Sequence, residues 1–154
     1  MFSKYLYDQI CALNDTSVPD ISRLSNMIAA IYNDQPAINW AGLYYVDEFE
    51  KGAWLGPFQG KPACTWISKN EGVIGFTLRE QYAVNIYNVH EFPGHIACDS
   101  ASASEMVIPL LHEGKIRAVL DIDSTEENFF SEGDLELMIK IAGVLQESAF
   151  CIKL

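Results

Sequence analysis

Positive charge is scarce in this chain: 10 Lys and Arg stand against 21 Asp and Glu, a net charge of −11 over 154 residues. That balance disfavours phosphate backbones and anionic bilayer surfaces, so neither nucleic acid nor a membrane is expected as a partner. No apolar run approaches the ~20 residues a membrane helix needs, and the opening Met1-Phe2-Ser3-Lys4-Tyr5-Leu6-Tyr7-Asp8 has no apolar signal core. A cytoplasmic protein is the expectation. Four cysteines in a chain of this length are too sparse for a disulfide scaffold, so any disulfide is expected to be transient and catalytic. Repeats, linkers and low-complexity tracts are absent too. With 49% hydrophobic and 20% charged residues, residues 1–154 read as one globular domain.

Helical spacing marks residues 2–13 and 20–33, the second with Ile21, Leu24, Met27, Ile28 and Ile31 on one stripe and Asp20 placed to cap it. The β-branched and aromatic run 38–46 and the run 53–58 read as a hairpin. A short strand is expected within 60–66, a short helix at 73–81, and a long turn-rich loop from 85 to 104. Residues 104–124 alternate on both sides of His112-Glu113-Gly114. Glu113 is disfavoured at positive φ, so a three-residue loop with Gly114 left-handed is expected; it pairs Ile108 with Ala118 and Met106 with Leu120. Ile116, Ala118, Leu120 and Ile122 then share the apolar face, and Glu105, opposite Asp121 and near Asp123, gathers three carboxyls on the other. A helix from about 131 to 150, capped by Ser131 and Asp134, should pack on the opening helices. The predicted class is α+β, a central antiparallel sheet with the N- and C-terminal helices on one face.

Gly56 to Pro62 is no phosphate loop, because its glycines are too close and Pro62 replaces the magnesium-binding hydroxyl. Gly72-Val73-Ile74-Gly75 lacks the spacing of a dinucleotide fingerprint. Cys11 and Cys151, inside helical patterns, read as small apolar packing residues. Cys64 and Cys98 fall in loops whose polar groups can stabilise a thiolate. His90, His95, Cys98 and Cys64 do not have a regular zinc spacing, so no metal and no cofactor is expected. A solvated sheet end, or a calcium or magnesium site, is the alternative use of the three carboxyls.

Asn39-Trp40-Ala41-Gly42-Leu43-Tyr44, Leu55 through Cys64, Phe92 through Ser102, and Val119-Leu120-Asp121-Ile122-Asp123-Ser124 closely resemble the GAF-domain free methionine-(R)-sulfoxide reductases, over nearly the whole chain. The resemblance implies a single GAF-like domain that reduces free L-methionine (R)-S-oxide to methionine. It implies Cys98 as the attacking cysteine, Cys64 as the resolving one, and Glu105, Asp121 and Asp123 around the sulfoxide and amino group. Trp40 and Tyr44 match aromatic residues of the pocket, and thioredoxin or a similar dithiol would return the disulfide to thiols. A third family cysteine, in a Gly-Val-Cys-Gly motif, is Ile74 here. GAF domains commonly dimerise through terminal helices, so a homodimer is implied, though the subunit count stays open.

The chemistry needs a thiolate and a proton donor, since the sulfoxide oxygen leaves only as water. His95 or loop N–H groups would activate Cys98, and crowded carboxyls would keep a proton to donate. The rival from another class is a GAF-type sensor that binds a small ligand without changing it; a cysteine hydrolase with His95 as base lacks an orienting residue.

Overall fold

The computed structural model describes residues 1–94 and 99–151. Its elements run α1 (Leu6–Leu13), α2 (Asp20–Asn33), β1 (Ile38–Val46), β2 (Gly52–Gly60), β3 (Trp66–Ser68), α3 (Gly72–Glu80), β4 (Val84–Ile86), β5 (Ser104–His112), β6 (Lys115–Ser124) and α4 (Glu132–Ala149). The six strands form one sheet in the order β3-β2-β1-β6-β5-β4, every pair antiparallel. No helix of the described residues is long and apolar enough to cross a membrane.

Alternation along the strands builds two cores. One face carries Ala41, Leu43, Tyr45, Met106, Ile108, Leu110, Ala118, Leu120 and Ile122, buried with side chains of α1, α2 and α4. The α+β arrangement with both terminal segments helical on one face is therefore the observed one. On the opposite face Trp40, Tyr44, Val107 and Val119 pack with Val73, Ile74 and Leu78 of α3. The short helix thus roofs only that side, and leaves the sheet end beside it open.

The ends of α2, β1 and α4 fall where periodicity puts them, and Ser131 with Asp134 forms the expected capping box. Several local expectations are corrected. Pro19, not Asp20, is the N-cap of α2, and the Asp20 carboxylate bonds Arg23 instead. Ile21, at the margin of the stripe, is exposed. Helix α1 begins at Leu6, not residue 2, because the Phe2 N–H donates to Asp134 and the Ser3 N–H to Asp34, both at 2.8 Å. The strand expected in 60–66 is Trp66–Ser68, since Trp54 pairs with Trp66 while Pro62, lacking an N–H, sits in the loop before it. The long loop contains β4, which pairs Ile86 with Glu105, and a 3-10 turn at Val89–Glu91.

The hairpin of β5 and β6 departs most. Glu113 (φ 52°) and Gly114 (φ 75°) both take left-handed backbone in a two-residue loop that joins His112 to Lys115. Such a turn follows the right-handed twist of the strands, which offsets the strain at Glu113. On its own this register would turn Glu105 toward the helices. A bulge between Leu110 and Leu111 leaves Arg117 unpaired and slides β6 by one more residue, so Ile108 pairs with Leu120 and Glu105 with Asp123. Face parity is restored, and the three carboxyls stay together. Ile116, beyond the bulge, packs with the second core rather than the first.

Candidate functional site

The sheet places the site at one end of its α3-covered face. Pairing of β1 with β6 sets Trp40 opposite Asp123 and Gly42 opposite Asp121, and pairing of β6 with β5 adds Glu105. Glu105 and Asp121 are only 6% and 7% exposed. These side chains line a pocket of about 540 Å³, part of it open to solvent, together with Tyr44, Val73, Ile74, Lys61, Asp99 and Ser102.

Its aromatic wall is tightly held. The Trp40 ring lies between Tyr44 and Phe58, with centroids 5.8 and 5.4 Å away, and its indole N–H donates to the Lys61 carbonyl at 3.2 Å. Gly42 makes this possible: a Cβ there would lie 2.5 Å from both the Phe58 Cβ and the Trp40 Cη2. The Tyr44 hydroxyl donates to the Cys64 carbonyl at 2.9 Å, tying the Lys61–Cys64 loop to the sheet. Burial and the neighbouring carboxylates push the Tyr44 phenol well above its usual range, so it stays a hydrogen-bond donor.

The carboxyls are held high as well. Burial comes first for all three; after it the Asp123 charge raises Glu105, the Glu105 charge raises Asp121, and the Asp121 charge raises Asp123. A hydrogen bond joins Glu105 to Asp121, so the two raised carboxyls can share a proton. Asp121 Oδ1 is buried with no hydrogen-bond partner among the described residues. An unsatisfied buried polar atom costs about 1–3 kcal/mol, which a polar ligand atom would relieve. Oxygens of the three carboxyls lie within 4.8 Å of one another, a spacing that could also contact a cation. With their pKa values raised, these carboxyls can carry protons where ordinary carboxylates would not.

Cys64 lies half-buried in the loop after β2, packed beside the second core, and is disulfide-bonded. Cys98 and His95 lie outside the described residues. Cys11 and Cys151 are exposed free thiols, contrary to the packing role expected for them. On α1 the buried stripe is Leu6 and Ile10, so residue 11 turns away from the core, and Cys151 follows the end of α4. Ile74 is a buried apolar part of the pocket wall. His90 is exposed on the 3-10 turn.

The sequence reading missed a polar cluster at the pocket mouth. Lys61 Nζ is 3.3 Å from Asp99, and Asn39 Nδ2 donates to Asp99 (3.3 Å) and to Ser102 Oγ (3.0 Å). Opposite charges at Lys61 and Asp99, each close in sequence to a candidate cysteine, were the available signal. Asp99 is held below the usual carboxylate range, first by the Ala101 N–H and then by Lys61 and Asn39, and stays ionised.

This constellation belongs to a known class. The GAF domain family model matches residues 10–146. The chain is 41% identical over 143 residues to protein YtsP of Bacillus subtilis, covering 93% of this chain and 88% of the relative. It is 40% identical over 127 residues to the free methionine-R-sulfoxide reductase of Escherichia coli, covering 82% and 76%. The X-ray structure of free methionine-R-sulfoxide reductase from Neisseria meningitidis in complex with its substrate superposes with a TM-score of 0.85 at 33% identity, covering 93% of this chain and 85% of that one. The chain is a GAF domain protein, and it belongs to the family of the GAF-domain free methionine-(R)-sulfoxide reductases.

Proposed function

We propose that this protein reduces free L-methionine (R)-S-oxide to L-methionine in the cytoplasm, using Cys98 and Cys64. The observation that carries the reading is the Glu105–Asp121–Asp123 cluster, raised in pKa and facing the Trp40–Tyr44 wall, with a disulfide-bonded Cys64 in the loop that Tyr44 holds. That Cys11 and Cys151 are free thiols supports Cys98 as the partner of Cys64.

In this mechanism the Cys98 thiolate attacks the sulfoxide sulfur while Asp121 or a neighbouring carboxyl passes a proton to the oxygen. The S–O bond of the substrate breaks, methionine leaves, and the oxygen ends on Cys98 as a sulfenic acid. The Cys64 thiol then attacks the Cys98 sulfur, forming the disulfide and expelling the oxygen as water. Thioredoxin or a similar dithiol reduces the disulfide by exchange, so two thiols are oxidised for each sulfoxide reduced. Trp40 and Tyr44 would pack on the S-methyl group, a contact worth about 0.3–1.5 kcal/mol that favours one epimer. Remaining carboxylate charge would hold the substrate ammonium. With Ile74 in place of a third cysteine, Cys64 and Cys98 would carry the whole cycle.

The test is incubation with separated R and S epimers of free methionine sulfoxide and the thioredoxin system, with methionine measured. Conversion of the R epimer is expected. Cys98→Ser should release none, and Cys64→Ser about one methionine per protein before stalling. Steady turnover by Cys98→Ser overturns the mechanism. A sensor would lose no thiols on exposure to the sulfoxide, whereas a reductase loses two.

A further inference from the structure

We propose that Lys61, positioned by Asp99, binds the α-carboxylate of the substrate and is the residue that restricts the reaction to a free amino acid. The inference rests on the reductase reading above and names the residue that selects its substrate.

The pocket is lined by four acidic side chains, Asp99, Glu105, Asp121 and Asp123, and by one cation among the described residues, Lys61. A free amino acid brings a carboxylate as well as an ammonium. Carboxyls suit the ammonium, but an α-carboxylate among four acidic groups without a counter-charge is repelled. Lys61 is the side chain on this wall that supplies the missing sign. It also stands at the mouth: its side chain is 70% exposed, whereas Glu105 and Asp121 are buried at the floor. A substrate whose sulfoxide meets the floor would present its polar head to Lys61.

The residue is built to be steady at its base and mobile at its tip. The Lys61 carbonyl takes the Trp40 indole N–H, and three residues on the Cys64 carbonyl takes the Tyr44 hydroxyl. Only the four-carbon stem is left to move. The ammonium rests 3.4 and 3.3 Å from the two oxygens of Asp99, and Asp99 is itself fixed by the Ala101 N–H at 3.0 Å and the Asn39 amide at 3.3 Å. An ammonium has three N–H donors, so the pair leaves at least one for an incoming carboxylate.

The experiment compares free L-methionine (R)-sulfoxide with L-methioninamide (R)-sulfoxide, which keeps the ammonium and lacks the carboxylate, using wild type, Lys61→Gln and Lys61→Arg. Wild type should prefer the free acid by about tenfold or more in kcat/KM, the usual effect of one charge-assisted hydrogen bond. Lys61→Gln should raise KM for the free acid by about ten- to a hundredfold at nearly unchanged kcat, leave the amide unaffected, and be partly rescued by Lys61→Arg. Equal losses on both substrates, or no loss on either, overturn the role of Lys61. If wild type converts neither sulfoxide, the reductase reading itself fails and the inference falls with it.

Discussion

Replacing Gly42 with alanine tests whether the aromatic wall is locked as tightly as its geometry implies. The new Cβ would sit 2.5 Å from the Phe58 Cβ, 2.5 Å from the Trp40 Cη2 and 2.9 Å from the Trp40 Cζ3, where ordinary contact begins at 3.4 Å. Relief therefore needs a displacement approaching 1 Å at the first two atoms. Trp40 is 3% exposed, stacked on both sides and hydrogen-bonded at its indole nitrogen, so it has no free direction in which to yield. Overpacking of this kind costs about 1–3 kcal/mol. For a chain of this size each kcal/mol lowers Tm by about 2–4 °C, so thermal unfolding should shift down by roughly 2–12 °C. A reacting group misplaced by about 1 Å can lose on the order of a hundredfold in rate, so kcat/KM for the R sulfoxide should fall by up to about that factor. Trp40→Phe removes the two indole atoms that clash, so the Gly42→Ala/Trp40→Phe double variant should lose less stability than the two single losses added. A Gly42→Ala protein with unchanged Tm and turnover, or strict additivity in the double variant, would refute the claim that Gly42 makes room for Trp40.

The acidic cluster should leave a pH signature in stability. Glu105, Asp121 and Asp123 titrate higher folded than unfolded, so their contribution is fully present below the unfolded values near ~4 and is lost as pH rises through the folded ones. Asp123→Asn should therefore stabilise the protein, measurably more at pH 8 than at pH 4 in urea midpoints; an equal or smaller gain at pH 8 contradicts the assigned shifts. Ser131→Ala, which removes the Oγ that accepts the Asp134 N–H at 3.2 Å, should cost about 1 kcal/mol of stability and leave turnover alone. A loss of turnover without a loss of stability would mean that α4 does more than support the sheet.

The floor of the site was legible before any coordinates. Period-two alternation puts Glu105 on one face of β5 and Asp121 and Asp123 on one face of β6, and any register that keeps the apolar residues inside keeps these three together. The reading had the wrong loop and the wrong partner for Glu105, yet the same parity, which is why the cluster survived the error. The aromatic wall followed from the motif around Trp40 and Tyr44. The mouth did not, because Lys61, Asp99 and Asn39 come from three separate segments and show no periodicity.

Local rules were enough for the spans of α2, β1 and α4, the capping box at Ser131 and the face each strand presents, because backbone geometry repeats every 3.6 or 2 residues whatever lies around it. Tertiary contact decided the rest. Left-handed backbone at Glu113, the bulge at Arg117, the three-residue β4, the late start of α1 and the exposure of Cys11 each run against or beyond a local preference of about 1 kcal/mol or so. Strand twist, the matching of two cores and hydrogen bonds between distant residues outweigh preferences of that size. They exist only once the chain has closed on itself, and no window of the sequence contains them.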